Sequence, residues 1–109
     1  MAVATVTQLI APTTLSATLT TTLYTVPAST KTIVKEIEVT NTESSALTYS
    51  LFVGTSATAA NAIADARSIA PGETQIYTYS KVLIAADQIR GGASAASVIA
   101  INASGVEVA

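Results

Sequence analysis

Short runs rich in Thr, Val and Ile, broken at close intervals by Pro, Gly, Ser or Asn, constrain this chain more than any other feature of it. Two heavy substituents on Cβ restrict χ1 and favour the pleated backbone over the helix. No segment holds a helical period over a useful length. Turn residues recur at the spacing of hairpins, which is the pattern of an all-β sandwich or barrel.

The extended runs can be placed one by one. The first covers residues 3–10 and is expected to stop at Pro12. "LSATL" alternates Leu15, Ala17 and Leu19 with Ser16 and Thr18, and the alternation lapses in Thr20–Thr22 before "LYTV" resumes ahead of Pro27. "KTIVKEIEVTN" (31–41) and "ALTYSLFV" (46–53) follow, with "TESS" between them as a hairpin turn. "ETQIYTYS" (73–80) comes after the turn "APG", and the chain closes with "QIR", "ASVIAIN" (96–102) and "GVEV" (105–108). The fold class is therefore all-β: a single β-sandwich, jelly-roll-like, of about eight short antiparallel strands. The one long stretch outside the strands is "GTSATAANAIADARS" (54–68). It is expected to form an Ala-rich loop or short helical turn near residues 56–66, capped by Ser56 or Thr58. One domain fills residues 1–109, with 1–20 a candidate N-terminal arm able to pair with a neighbour's edge.

One row breaks the alternation. Ile33, Ile37 and Val39 would share a face, but Lys35 stands among them, so this strand either carries a bulge or lies at an edge. On the other face Glu36 and Glu38 fall in a row with Thr32 and Thr40, which reads as a solvated surface that discourages edge pairing.

Charged residues make up 11% of the chain, against about 25% in an average soluble domain. The mean hydropathy is +0.52. No apolar run reaches the roughly 18 residues of a membrane span, and the N-terminus lacks the basic region of a secretory signal. The apolar excess points instead to burial against other protein, in a homo-oligomer or larger assembly. A net charge of −2 with five basic residues leaves no patch for neutralising nucleic-acid phosphates. With no cysteine there are no disulfides, which fits assembly in a reducing cytoplasm.

Chemistry is scarce. The chain has no histidine and no cysteine, which removes the commonest general base, the usual zinc ligands and the Ser-His and Cys-His nucleophile arrangements. "RGGAS" and "GTSAT" lack the spacing of a phosphate cradle and read as turns. The expectation is a non-enzymatic protein with no catalytic residues, no metal site and no cofactor. Tyr77 and Tyr79, two apart in "IYTYS", form with Gln75 either a polar-aromatic row that meets a partner or two rings packed in the core with hydroxyls at its rim.

"VLIAADQIRGG" (82–92) places Asp87 and Arg90 in an apolar run. With no second catalytic group available, Asp87 is expected to accept backbone N–H bonds that shape a corner. Arg90 would stand at the rim, solvated or paired with an acid on a neighbouring strand or subunit. Tyr77, Tyr79 and Arg90 are thus the candidate partner contacts.

"LYTVPAST" (23–30), "KTIVKEIEVTNT" (31–42), "SIAPGET" (68–74), "VLIAADQIR" (82–90) and "ASAASVIAINASGVEV" (93–108), taken in this order, resemble small virion structural proteins of tailed bacteriophages. The resemblance covers the chain from about Leu23 onward. It implies a β fold and a virion location, and it brings no active residues. Ala86 departs from the pattern, which more often has Gly before the Asp, and this bears on whether the corner takes a left-handed conformation. The resemblance leaves two virion roles open. One is a capsid decoration (cement) protein, a homotrimer bound to the major capsid protein at local three-fold points. The other is a tail, baseplate or fibre component for host attachment. A bacterial carbohydrate-binding module, with Tyr77 and Tyr79 as its platform, is a more distant alternative.

Overall fold

The chain runs out through four strands and returns through four. The computed structural model describes residues 3–109. Its strands are β1 (Ala4–Thr14), β2 (Thr21–Thr25), β3 (Lys31–Asn41), β4 (Leu47–Gly54), β5 (Ala62–Ile69), β6 (Thr74–Leu83), β7 (Gln88–Ala93) and β8 (Ile99–Val108). β1 pairs with β8, β2 with β7, β3 with β6 and β4 with β5, all antiparallel, as in one long hairpin folded at the β4–β5 tip. Rolling that hairpin across itself adds the pairs β3–β8 and β4–β7. The result is two four-stranded sheets, β1-β8-β3-β6 and β2-β7-β4-β5, the arrangement of a jelly roll.

The core lies between the sheets. Leu15, Val26, Val34, Ile37, Val39, Leu51, Ile69, Leu83, Ile89, Ile99 and Ile101 are buried there, with Tyr49 the largest fully buried side chain. Each full burial of an aliphatic side chain of this kind contributes about 1.5–3 kcal/mol.

Lys35 sits at a bulge. Between Val34 and Glu36 β3 takes two steps where β8 takes one, from Gly105 to Ser104, and β6 takes three, from Lys81 to Thr78. β1 adds its own extra residue at the same level, going from Gln8 to Ile10 while β8 goes from Ser104 to Ala103. The alternation of β3 therefore changes phase. Thr32 and Val34 face the core before the bulge, and Ile37, Val39 and Asn41 face it after. Because β3 lies between β8 and β6, the bulge alone accounts for Lys35, and no edge position is involved. Gly105 permits the close approach here: a Cβ on it would lie 2.2 Å from the Ile33 carbonyl oxygen.

Several expected boundaries move. The 54–68 stretch contains all of β5 but its last residue, so the helical part of the long loop reduces to one 3₁₀ turn at Ala59–Asn61, and Thr58 makes no side-chain cap there. "LSATL" lies outside the strands: its Leu15 is buried, but the chain turns through Thr18, whose carbonyl accepts from Thr21 N–H. β1 continues past Pro12 to Thr14, because on an edge strand with a register shift a missing N–H breaks no ladder. Gly91 and Gly92 of "RGGAS" belong to β7 rather than to a turn. The two closing runs fuse into the single strand β8, and β1 and β3 reach 11 residues each. Of the candidate arm 1–20, residues 1–2 lie outside the described residues, and Ala4–Thr14 is β1, paired within this chain.

Candidate assembly surface

The outer face of the first sheet is divided by the bulge. On one side the register aligns Val6 of β1 with Val106 of β8, Val106 with Ile33 of β3, and Ile33 with Val82 of β6. One apolar side chain from each of four strands thus forms an unbroken row across the sheet. Val6 is 87% exposed and Val82 59%, with Ile33 and Val106 half-buried between them. Exposed Ile84 extends the apolar area at the same end, where Val3 is tied to Ala109 by two backbone hydrogen bonds. An open depression of about 450 Å³ lies beside it, lined by residues that include Lys31, Ile84, Ala85 and Val108.

On the other side of the bulge the face is polar. Glu36, Glu38 and Thr40 of β3 stand with Asn102 and Ser104 of β8 and Thr74 and Thr78 of β6, interrupted by exposed Ile76. The phase change removes Thr32 from the expected Glu36–Glu38–Thr40 row and buries it completely. Lys35 donates to Ser80 Oγ at 2.8 Å.

The tyrosines turn inward. Tyr77 and Tyr79 on β6 are half-buried and pack against the core. Tyr49 on β4 donates to Gln75 Oε1, and its hydroxyl lies 2.6 Å from that of Tyr77. Gln75 Nε2 in turn donates to the Ser68 carbonyl at 3.1 Å. The Arg67 guanidinium stands 5.6 Å from the centre of the Tyr77 ring, a cation–π contact. Burial pushes the Tyr79 hydroxyl up to about 12, with the neighbouring Tyr77 adding to it, and it has no hydrogen-bond partner. At the opposite end of the sandwich Tyr24 donates to Glu107 at 2.5 Å and meets Thr32 Oγ1 at 2.8 Å. Burial first and the Glu107 hydrogen bond second raise Tyr24 to about 12.

Arg90 and Asp87 do not meet in an ion pair. Arg90, on the outward face of β7, donates through Nε to Gln88 Oε1 at 2.5 Å. Asp87 Oδ2 accepts the Ile84 N–H at 3.1 Å, its own N–H reaches the Ile84 carbonyl at 3.0 Å, and Ala86 between them has φ +73°. The corner is the backbone-capping turn expected of Asp87, in the left-handed conformation despite the missing glycine. Among the described residues no three acidic side chains gather into a set able to hold a metal ion.

Val6, Ile33, Val82 and Val106 escaped the reading of the sequence. Taken alone, strand alternation puts Ile33 on one face with Ile37. Only the pairing across the bulge turns it outward and aligns it with three other strands.

No family model matches this chain, and no curated protein does. Solved structures do match it. A chain of the T13 particle of infectious bursal disease virus (IBDV) superposes with a TM-score of 0.53 at 9% identity, over 99% of this chain and 30% of that one. The T=1 particles derived from infectious bursal virus give 0.51 at 11% identity, again over 99% and 30%. The tobacco streak virus coat protein gives 0.48 at 12% identity, over 99% and 84%. The likeness to the IBDV chains establishes the fold. This chain spans less than a third of their length.

Proposed function

We propose that this chain is a non-enzymatic structural subunit of a virion, and specifically a capsid decoration protein of a tailed bacteriophage that binds the outer shell and ties capsomers together. The observation that carries the reading is the row Val6–Val106–Ile33–Val82, four aligned apolar side chains on an open sheet face. A charge content of 11% leaves little to keep such a face solvated. Contacts of about 800 Å² per partner are individually modest. Repeated over a lattice they hold firmly, because each bound neighbour raises the effective concentration of the next. The fold shared with the IBDV particle chains supports the same setting.

Within this reading the chain works as a homotrimer on the major capsid protein. Arg90 is the one sequence-derived partner contact whose charged group is presented outward; the hydroxyls of Tyr77 and Tyr79 face the interior. The test is cryo-EM of intact particles. Density repeated over the shell at local three-fold points is the expected result. Density confined to the tail would replace decoration with a tail role, and absence from particles would remove the virion reading.

A further inference from the structure

The four edge strands of the sandwich are not equally protected. β1 carries Pro12 and two register shifts, β2 is only five residues long, and β5 has two register shifts, a left-handed Ala66 (φ +47°) and the charges Asp65 and Arg67. Each is a known way of preventing a sheet edge from pairing with another chain. β6 has none of them between Thr74 and Thr78, where it keeps unbroken register with β3, and it has no charge or proline from Thr74 to Ser80.

The phase of its open hydrogen bonds follows from one bond. Asn41 N–H donates to the Glu73 carbonyl at 3.0 Å, so antiparallel alternation turns the backbone of Gln75 and Tyr77 toward β3. The N–H and C=O groups of Thr74, Ile76 and Thr78 face away from the sheet. We propose that β6 is the edge at which two copies of this chain join antiparallel about a two-fold axis at Ile76, continuing the first sheet across the pair.

That register uses every open group. Ile76 pairs with Ile76 of the second copy and Thr74 with its Thr78, all as hydrogen-bonded pairs. The exposed Ile76 side chains meet on the outer face, and Thr stands opposite Thr, a favourable cross-strand pair. Glu73 and Lys81 flank the uncharged stretch at its two ends. Antiparallel pairing carries Glu73 of each copy toward Lys81 of the other, whereas parallel pairing would set like charges together. Gln75 and Tyr77 are already held inside by Tyr49, so no side chain has to move. The contact is on the edge of the sheet, apart from the apolar row on its face, and stands whether or not the virion reading holds.

The chain has no cysteine, so introduced thiols report only on their own positions. A hydrogen-bonded antiparallel pair has its Cα atoms about 5.5 Å apart, within the roughly 4.4–6.8 Å that a disulfide spans. Mild oxidation of purified Ile76→Cys is expected to give the covalent dimer at least ~10-fold faster than Thr78→Cys, whose like positions lie four residues out of register. A mixture of Thr74→Cys and Thr78→Cys should cross-link to each other faster than either does to itself. Ile76→Pro removes only an outward N–H and should sediment at half the wild-type mass with its melting curve retained. Equal cross-linking at positions 76 and 78, no cross-linking at either, or a wild-type chain that remains single at about 1 mM would overturn the proposal.

Discussion

The hydroxyls of Tyr49 and Tyr77 lie 2.6 Å apart, one from each sheet. Tyr49 donates its proton to Gln75, so the proton between the two rings comes from Tyr77. Gln75 passes the chain on to the Ser68 carbonyl, making a polar bridge at the edge of the apolar core. Phe at position 49 breaks both of that hydroxyl's bonds in a buried site and should cost about 1–3 kcal/mol. Phe at position 77 should cost about 0.5–1.5 kcal/mol, and the double variant less than the sum. Denaturant unfolding at constant m-value measures all three; strict additivity would refute the bridge.

Raised tyrosines make the fold sensitive to base. Tyr24 and Tyr79 are each pushed up to about 12, and burial drives Tyr49 upward as well. Below about pH 10, the ordinary tyrosine value, these three rings are protonated in the folded and the unfolded chain alike and their contribution to stability is constant. Between pH 10 and 12 the unfolded chain releases protons that the folded chain keeps, so the stability of the fold falls as pH rises. Tyrosinate absorbance followed alongside circular dichroism should show ionisation of these rings coinciding with unfolding. Free titration near pH 10 in a folded chain would contradict the burial.

Ala86 holds a conformation that suits glycine better. At φ +73° its Cβ crowds the backbone, a cost of about 1–2 kcal/mol for an L-residue. Ala86→Gly should relieve this and raise stability by about 0.5–1 kcal/mol after the added freedom of the unfolded chain is counted. Ala85→Gly, next door and without a left-handed backbone, should be neutral or destabilising. A lower melting temperature for Ala86→Gly would show that the turn is not strained.

Gly105 is the reverse case. An added methyl would meet the Ile33 carbonyl and the Leu9 side chain together, at 2.2 and 2.9 Å. Gly105→Ala should therefore destabilise by at least ~2 kcal/mol, in the range of overpacking. A thermal melt checks it.

The sandwich and the corner at Asp87 could be read from the chain because both are local. Alternation along "KTIVKEIEVTN" and an acid following a tight turn need no knowledge of partners. β5 was hidden because Ala62, Ala64 and Ala66 carry no strand preference of their own. Pairing with β4 imposes the extended form on Ala62 and Ala64, with Ala64 sealing the core, and leaves Ala66 left-handed at a register shift. The direction of Ile33 was hidden for a different reason. Lys35 announced a break in the row, but which residues it turned outward depends on one step in β8 against two in β3. Register of this kind is set between strands distant in sequence, and the apolar row is its product.

That row should separate binding from folding. Val6 and Val82 are exposed, and substituting them should change stability by no more than about 0.5 kcal/mol. If the row is the face that meets the shell, each valine buries its side chain there, worth roughly 1.5 kcal/mol. Losing both then weakens binding by about 100-fold, since every 1.4 kcal/mol is a factor of ten. Lysine at both positions would add the cost of desolvating two charges. Co-sedimentation of the Val6→Lys, Val82→Lys variant with shells stripped of the protein measures the loss, and an unchanged melting curve confirms the fold. Full binding by the folded variant would move the contact to the polar half of the face or to Arg90 on the second sheet.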